Sequence, residues 1–146
     1  MKANHMDLHI QQLTHLHAAY AECRMIRQRV FIDEQEVPVE LEWDEADKTA
    51  IHLLATVDSQ PAACARVLSD GHIGRMAVLA PWRGKGVGEA LLQQAVQICR
   101  QLQVSHARLS AQTHAIAFYA RAGFVVSSAP YLDANIMHVD MQLELV

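Results

Sequence analysis

The sequence has few aromatic residues, few cysteines and no long apolar run. Aromatic side chains make up 5% of its 146 residues, and Cys23, Cys64 and Cys99 are widely spaced. Without a C-x-x-C pair, neither a zinc knuckle nor a thiol redox motif is supported, so each cysteine is predicted to be a small buried apolar side chain in a reduced compartment. No segment approaches the roughly 18 apolar residues of a membrane helix, and residues 1–7 lack the apolar core of a signal peptide. We therefore expect a cytoplasmic protein that does not bind membranes.

Charge and composition exclude further classes of protein. The chain has 12 basic and 16 acidic residues and a formal net charge of −4, which argues against bulk attraction to nucleic acid. A hydrophobic content of 51% excludes an intrinsically disordered chain, and the length favours a single domain spanning residues 1–146. The histidine pairs near the N-terminus fall on a predicted strand and helix start, which would scatter their rings, so no metal site is expected.

Half of all the carboxylates are concentrated in one short stretch, residues 33–47. Because this stretch contains Pro38 and shows no clean period, residues 33–48 are predicted to form a loop with room for one helical turn. The acidic residues of the stretch are Asp33, Glu34, Glu36, Glu40, Glu42, Asp44, Glu45 and Asp47.

The pattern of apolar residues predicts a chain of alternating strands and helices. Strands are predicted over 6–13, 50–57, 62–68, 72–80, 104–112, 124–127 and 136–145, and amphipathic helices over 15–30, 86–102 and 114–122. The order is β-α-β-β-β-α-β-α-β-β, which predicts an α/β protein built on a single sheet. In the last strand the apolar residues from Met137 to Leu145 are predicted to face inward, and His138 and its polar neighbours outward.

A glycine-rich loop between a strand and a helix is the most informative segment. It reads Ala-Pro-Trp-Arg-Gly-Lys-Gly-Val-Gly-Glu-Ala over residues 80–90. Glycines allow close approach of a ligand to the backbone, and amide N–H groups at a helix N-terminus form an anion site. The loop is therefore predicted to hold a phosphate or pyrophosphate, the alternative being a glycine turn with no ligand. Glu89 breaks the dinucleotide-binding fingerprint, and Gly86 after Lys85 breaks the P-loop pattern.

Several motifs together resemble the GNAT superfamily of acyl-CoA N-acetyltransferases. The pattern Arg83-x-x-Gly86-x-Gly88 resembles the family's pyrophosphate loop, residues 74–78 its central strand and residues 117–124 its FY-x-x-x-GF segment. Residues 29–38 resemble a bacterial branch of the superfamily with poorly defined acceptors. The resemblance implies an α/β (α+β) fold of one GNAT-like domain, with a central mixed, mostly antiparallel sheet flanked by helices on both faces. A homodimer is left open.

The resemblance also implies how the cosubstrate acetyl-CoA is held. The backbone of the central strand is expected to pair with the pantetheine arm, and one of its N–H groups to polarise the thioester carbonyl. The side chains of Arg83 and Lys85 either reach the phosphates or remain solvated. The residues implied to bind the cosubstrate are Met76, Ala77, Val78, Arg83, Gly84, Lys85, Gly86, Val87, Gly88, His114 and Phe118.

Tyr119 matches the tyrosine with which this family protonates the departing thiolate. A phenol with a reference pKa of about 10 can donate a proton to a thiolate whose conjugate acid has a pKa of about 8.5. The alternatives are that Tyr119 only packs beside Phe118 or only orients the sulfur. The asparagine that many members carry at the start of this helix is replaced here by Thr113-His114, either of which can cap the helix or meet a polar ligand.

An amine acceptor must lose a proton before it attacks, since its reference pKa is about 10.4. The candidate general bases are Glu34, Glu42, Asp44, His52 and His138. For each of these residues alone, the alternative is a surface charge or a local ion pair. Taken together, the five residues suggest a pocket for a cationic amine. Arg66 and Arg75, on predicted strands, are expected to pair with carboxylates of residues 33–47.

The predicted function is transfer of an acetyl group from acetyl-CoA to a primary amine by direct attack on the thioester, with Tyr119 as general acid. The acceptor is expected to be a small molecule or a peptide. The alternative is a non-catalytic module that binds acyl-CoA or a partner on the same fold. A nucleotide-phosphate binder is disfavoured by the two failed fingerprints.

Overall fold

The computed structural model describes residues 6–146, so part of the N-terminal segment interpreted above lies outside the described residues. The strands are β1 (Leu8–Leu13), β2 (Ile51–Val57), β3 (Gln60–Val67), β4 (Ile73–Val78), β5 (His106–Gln112), β6 (Val125–Val126), β7 (Tyr131–Asp133) and β8 (Ile136–Glu144). The helices are α1 (Tyr20–Arg27), α2 (Val39–Glu42), α3 (Val87–Gln101) and α4 (Ile116–Arg121). No helix among the described residues combines the length and apolarity needed to cross a membrane.

The strands form two four-stranded sheets with antiparallel pairing. The first has the order β1-β2-β3-β4, and the second has the order β5-β8-β6 with β7 paired to β8. The sheets meet at one parallel bridge, His72 with Arg108, where the N–H of Arg108 donates to the carbonyl of Gly71 at 2.9 Å. The predicted α/β fold class is confirmed, but the expected single sheet is divided because β4 and β5 separate beyond this bridge.

Helices cover both faces of the first sheet, as predicted. Leu53 and Ala55 on β2 belong to the core that α3 covers, and Leu54 belongs to a second core with α1. Successive side chains of a strand point to opposite faces, so the alternation over 50–57 places one apolar layer under each helix. All three cysteines are buried and free, as predicted for small apolar side chains.

The first helix differs from the prediction at both ends. It begins at Tyr20 rather than near residue 15, and Leu16, which lies within the predicted helix, is 82% exposed. The N–H of Leu16 donates to Thr14 Oγ1, and that of Ala19 to His17 Nδ1. Such local hydrogen bonds from side chains to the backbone compete with the backbone hydrogen bonds of a helix. At the other end the chain continues as a π-helical segment over Gln28–Glu34.

Three further differences concern the acidic segment, an additional strand and the last strand. The acidic segment contains the short helix α2, for which the prediction left room, and also a 3₁₀ turn over Glu45–Lys48, and β7 was not predicted at all. In β8, Val139 and Met141 are buried as predicted, but Met137 is 41% exposed while His138 is 9% exposed, the reverse of the prediction for these two residues. The alternation identified the strand correctly, but β8 faces a cavity at His138 rather than solvent.

Candidate active site

Two cavities meet where β4, the last strand of the first sheet, separates from β5 of the second sheet. The first, about 580 Å³, lies in the gap between β4 and β5, and the second, about 430 Å³, lies against the glycine-rich loop and the start of α3. Met76, Val78, Arg83 and Tyr119 contribute to the walls of both. The site can therefore receive two ligands from two directions that meet at these four residues.

A β-bulge shapes β4 at this junction. Cys64 of β3 pairs with Ala77 and Arg66 with Gly74, so Ala65 faces two residues of β4. One of these, Arg75, has a φ of 48°, a left-handed conformation that is uncommon for a residue with a side chain. A bulge bends its strand and increases its twist. Because β4 is also the last strand of its sheet, its outer backbone edge faces the gap that the first cavity fills.

The glycine-rich loop joins β4 to α3, as the sequence predicted. Gly84 and Gly86 have φ values of 74° and 85°, and Gly86 precedes α3 without a side-chain cap. The first N–H groups of a helix have no intrahelical partner, and the positive end of the helix dipole lies there too. Gly84, Gly86 and Gly88 line the second cavity. This arrangement can hold a phosphate group by backbone donors.

The side chains around the loop occupy different places. Phe118 lies in the wall of the second cavity, and a Cβ on Gly88 would lie 3.5 Å from its ring. Val87 is fully buried, and Lys85 is exposed with its Nζ 6.0 Å from the Trp82 ring. Neither the Lys85 nor the Val87 side chain lines the second cavity. We therefore expect these two residues to contact a ligand there mainly through their backbone.

Arg83 lies at the junction of the two cavities. Its Nε donates to the carbonyl of Val78 at 2.8 Å, and its Nη2 lies 2.6 Å from Glu34 Oε1. Glu34 belongs to the π-helical segment, so this ion pair joins that segment to the end of β4. The negative charge of Glu34 is thereby matched by a neighbouring guanidinium.

Tyr119 separates the two cavities with its ring. The hydroxyl lies 4.0 Å from the sulfur of Met76, and the ring packs edge-on against Phe118 and Phe124 at centroid distances of 5.0 and 6.2 Å. Burial raises the pKa of Tyr119 to about 12. The phenol therefore holds its proton at neutral pH and can donate it to a group in either cavity.

His138 lies in the wall of the first cavity. Its Nδ1 is 2.7 Å from the carbonyl oxygen of Ile136, and the Tyr131 ring stacks on it at 6.1 Å with an interplanar angle of 20°. A carbonyl oxygen can only accept, so Nδ1 carries the proton and the neutral ring keeps its lone pair on Nε2. His114, on a 3₁₀ turn over Thr113–Ala115, lines the same first cavity rather than the second.

Four of the eight carboxylates of residues 33–47 pair with arginines: Glu34, Glu42, Asp44 and Asp47. Glu42 Oε2 lies 2.7 Å from Arg27 Nε and 3.2 Å from Arg75 Nε, and Asp47 Oδ1 lies 2.8 Å from Arg27 Nη1 and 3.0 Å from Arg66 Nη1. Asp44 joins Arg66 and Arg75, one oxygen to each. The predicted pairing of Arg66 and Arg75 with this stretch is confirmed.

Burial and ion pairing act in opposite directions on these groups. Burial raises the pKa of Glu42 and outweighs the opposing effects of Arg27 and Arg75. Burial also pushes the pKa of Asp47 upward, but hydrogen bonds and charges from Arg27 and Arg66 leave it lowered. Both carboxylates are thus ion-paired with arginines. An amine that used either of them as its base would have to compete with those arginines.

Arg27 is the residue of this cluster that the sequence analysis missed. It is 1% exposed and also donates from Nη2 to the carbonyl of Glu42 at 2.9 Å. The available signal was its spacing: Tyr20, Cys23 and Arg27 follow one another at three and four residues on the buried stripe of α1. A charge on such a stripe indicates a buried ion pair.

His52 lies away from both cavities. It is 1% exposed, its Nε2 lies 2.9 Å from the carbonyl of Asp47, and its ring packs against Tyr20. Burial lowers its pKa, so the ring is neutral at pH 7. Of the five candidate bases, Glu34, Glu42 and His138 line the first cavity, whereas Asp44 and His52 do not. Within residues 6–146, no group of three or more potential ligands is placed to hold a metal ion.

Comparison with known proteins identifies the family that has this fold. Residues 9–145 match the acetyltransferase (GNAT) domain family. The uncharacterized N-acetyltransferase YjcF of Bacillus subtilis is 33% identical over 120 residues, which cover 80% of this chain and 86% of YjcF.

Solved structures give the same result. An acyl-CoA N-acyltransferase from Pseudomonas aeruginosa superimposes with a TM-score of 0.80 at 34% identity, covering 95% of this chain and 99% of that one. ElaA from Escherichia coli superimposes with a TM-score of 0.84 at 28% identity, covering 94% and 99%. The chain belongs to the GNAT acetyltransferase family. Its class of reaction is the transfer of an acyl group from an acyl-CoA.

Proposed function

We propose that this protein transfers the acetyl group of acetyl-CoA to a primary amine by direct attack of the amine on the thioester. The observation that carries the proposal is the position of Tyr119, a protonated and partly buried phenol in the wall shared by two cavities. The pyrophosphate of the donor lies in the second cavity, and its pantetheine arm extends along β4 into the gap that the first cavity fills. The acceptor enters through the rest of the first cavity, so the reacting atoms meet beside this hydroxyl.

The chain holds the donor chiefly with its backbone. The N–H groups at the start of α3 and the glycines of the loop bind the pyrophosphate, since anions bind well at helix N-termini. The free edge of β4 over 76–78 pairs with the pantetheine arm, and one of its N–H groups stabilises the developing oxyanion. The bulge at Arg75 supports this assignment, because it bends β4 out of the sheet at the point where the two cavities meet.

Tyr119 acts as the general acid in this proposal. When the carbon–sulfur bond breaks, the departing thiolate takes the phenolic proton. Met76 supports this geometry, because its sulfur lies 4.0 Å from the hydroxyl and both residues line both cavities. General acid catalysis of this kind contributes roughly 10²–10⁴-fold to a rate.

His138 acts as the general base, directly or through a water molecule. Its Nδ1 proton is held by the carbonyl of Ile136, so Nε2 is available to take a proton from the amine. Glu34 and Glu42 line the same cavity but are ion-paired with arginines. Asp44 and His52 lie outside both cavities, which leaves His138 as the candidate that combines access with a free lone pair.

The test is a screen of primary amines with acetyl-CoA, in which free CoA is measured with a thiol reagent. We expect turnover with at least one amine, and we expect Tyr119→Phe to lower kcat by about 100-fold while the KM for acetyl-CoA changes little. Tyr20→Phe is the matched control, because Tyr20 is a buried tyrosine that lines neither cavity.

The outcomes separate the proposal from its alternative. Binding of acetyl-CoA without turnover across a broad panel of amines would make the protein a non-catalytic module. Turnover that Tyr119→Phe leaves unchanged would remove Tyr119 as the acid, with the acyltransferase activity retained.

A further inference from the structure

The first cavity presents arginine donors that no described residue uses. Arg66 on β3 is 7% exposed and lines this cavity. The hydrogen bonds that its guanidinium makes within residues 6–146 both come from Nη1, to Asp44 at 2.7 Å and to Asp47 at 3.0 Å. Its buried Nε has no hydrogen-bond partner among the described residues. A buried guanidinium with unused donors costs free energy unless a ligand or water completes it.

Arg75 presents a second guanidinium in the same wall. Its Nε and Nη2 donate to the backbone carbonyls of residues 41–42 and to Asp44, which leaves Nη1 without a partner in the described part of the chain. Asp44 bridges the two arginines, with Oδ1 2.7 Å from Arg66 Nη1 and Oδ2 3.2 Å from Arg75 Nη2. The two guanidinium groups therefore already share one carboxylate.

Arginines offset part of the negative charge of the acidic stretch beside this cavity. Arg27, Arg66 and Arg75 face Glu42, Asp44 and Asp47, three positive against three negative groups. The cluster is neutral, so the carboxylates that suggested a site for a cationic acceptor are already matched. Arg66 Nη2 and Arg75 Nη1 donate to no described residue, and both side chains line the cavity, so this wall keeps donor capacity for an anion.

Two further carboxylates lie in the wall of this cavity. Glu34 is paired with Arg83, whereas Asp133, in β7, is exposed and forms no ion pair within residues 6–146. Asp133 is available to attract the ammonium form of an approaching amine. The cavity thus offers one unpaired carboxylate and two partly free guanidiniums, a pattern complementary to a molecule that carries both charges.

We propose that the acceptor is an amine that also carries a carboxylate, and that the free donors of Arg66 and Arg75 bind this carboxylate in the first cavity. This inference rests on the proposed function for the role of the ligand as acceptor. Guanidinium groups match the planar, two-oxygen geometry of a carboxylate.

The size of the acceptor is bounded by the first cavity. Its volume of about 580 Å³ falls in the range of small-molecule sites, and it therefore admits an amino acid or a short ω-amino acid.

The test measures binding rather than turnover. Calorimetry on the wild-type protein saturated with CoA compares members of matched pairs: lysine with cadaverine, ornithine with putrescine, and 4-aminobutanoate and 6-aminohexanoate with the alkylamines in which methyl replaces the carboxylate. We expect at least one carboxylated member to bind about 10- to 100-fold more tightly than its partner, the range for a hydrogen bond to a charged group. Equal binding, tighter binding of the amines, or no binding by any member would overturn the proposal.

A double variant assigns the effect to Arg66. Asp44→Asn with Arg66→Gln removes one charge of each sign and so keeps the cluster neutral. The carboxylate preference is expected to fall to less than about threefold, while Arg108→Gln, an exposed arginine on a strand outside both cavities, keeps it. Thermal melts monitored by circular dichroism verify that each variant is folded. A folded double variant that retains the full preference would overturn the assignment.

The free-CoA screen separates this inference from the proposed function. Turnover with a preference for amines that lack a carboxylate would refute the proposal that the acceptor carries a carboxylate, and it would leave the acetyltransferase assignment in place. Tighter binding of the carboxylated members without turnover of any amine does the reverse.

Discussion

Replacing Arg27 by methionine removes the centre of the buried ion-pair cluster. The guanidinium is 1% exposed and donates to Glu42 Oε2 at 2.7 Å, Asp47 Oδ1 at 2.8 Å and the Glu42 carbonyl at 2.9 Å. Methionine fills a similar volume but offers no donor. Glu42 keeps Arg75 and Asp47 keeps Arg66, while both lose their shortest contact.

The expected cost follows from this geometry. Removing one partner of a buried ion pair destabilises a protein by about 3–5 kcal/mol, because the other charge stays buried. The remaining arginines place the cost toward about 3 kcal/mol. For a chain of this length, each kcal/mol shifts the melting temperature by roughly 2–4 °C, so a fall of about 6–12 °C is expected.

Urea denaturation at pH 7 measures the effect. Arg24→Met is the matched control, since Arg24 lies on the same helix and also contacts the Trp43 ring, at 4.1 Å, but is exposed. The control is expected to lose less than about 1 kcal/mol. A loss for Arg27→Met within about 1 kcal/mol of the control would refute the view that Arg27 organises the cluster.

The pH dependence provides a second check on the same variant. Without Arg27, burial dominates at both carboxylates and raises their pKa values in the folded state above those in the unfolded chain. The folded variant then binds protons more readily, so its stability rises as the pH falls. The difference between wild type and Arg27→Met is therefore expected to be smaller at pH 5 than at pH 8.

Three further predictions concern other parts of the molecule. His138→Gln is expected to lower kcat by about 100-fold in the free-CoA assay, and an unchanged kcat would exclude His138 as the base. Gly86→Val places a β-branched residue at a φ of 85°, so we expect a KM for acetyl-CoA raised by about tenfold in steady-state assays, and an unchanged KM would count against the loop. Gly71→Ala puts a Cβ 2.7 Å from the His106 carbonyl and should cost more than about 1 kcal/mol in urea melts. Gly74→Ala, where a Cβ meets nothing within 4 Å, should not.

The loop, the strand before it and the helix after it were predictable from local sequence. A cluster of glycines after a strand and the helical period of the apolar residues that follow are properties of adjacent residues, and the structure confirms the predicted order of strand, loop and helix. Arg66 and Arg75 were correctly expected to pair with the acidic stretch, because two charges among apolar neighbours need partners.

The facing of side chains in the last strand was predicted less well. Alternation assigns residues to two faces, but which face meets solvent depends on what packs there. His138 faces the first cavity because β4 and β5 separate, and Met137 is exposed although its pattern is apolar. No local feature of residues 136–145 carries that information.

The sequence by itself determined the family and the order of most elements, because each depends on the spacing of a few neighbouring residues. Tertiary structure alone decided how much of the acidic charge of residues 33–47 is left unpaired. The eight carboxylates of that stretch suggested an acidic pocket, yet Arg27, Arg66 and Arg75 come from α1, β3 and β4 and neutralise Glu42, Asp44 and Asp47. Ion pairing between residues distant in sequence is set by how the elements pack, and no count of local charge reveals it.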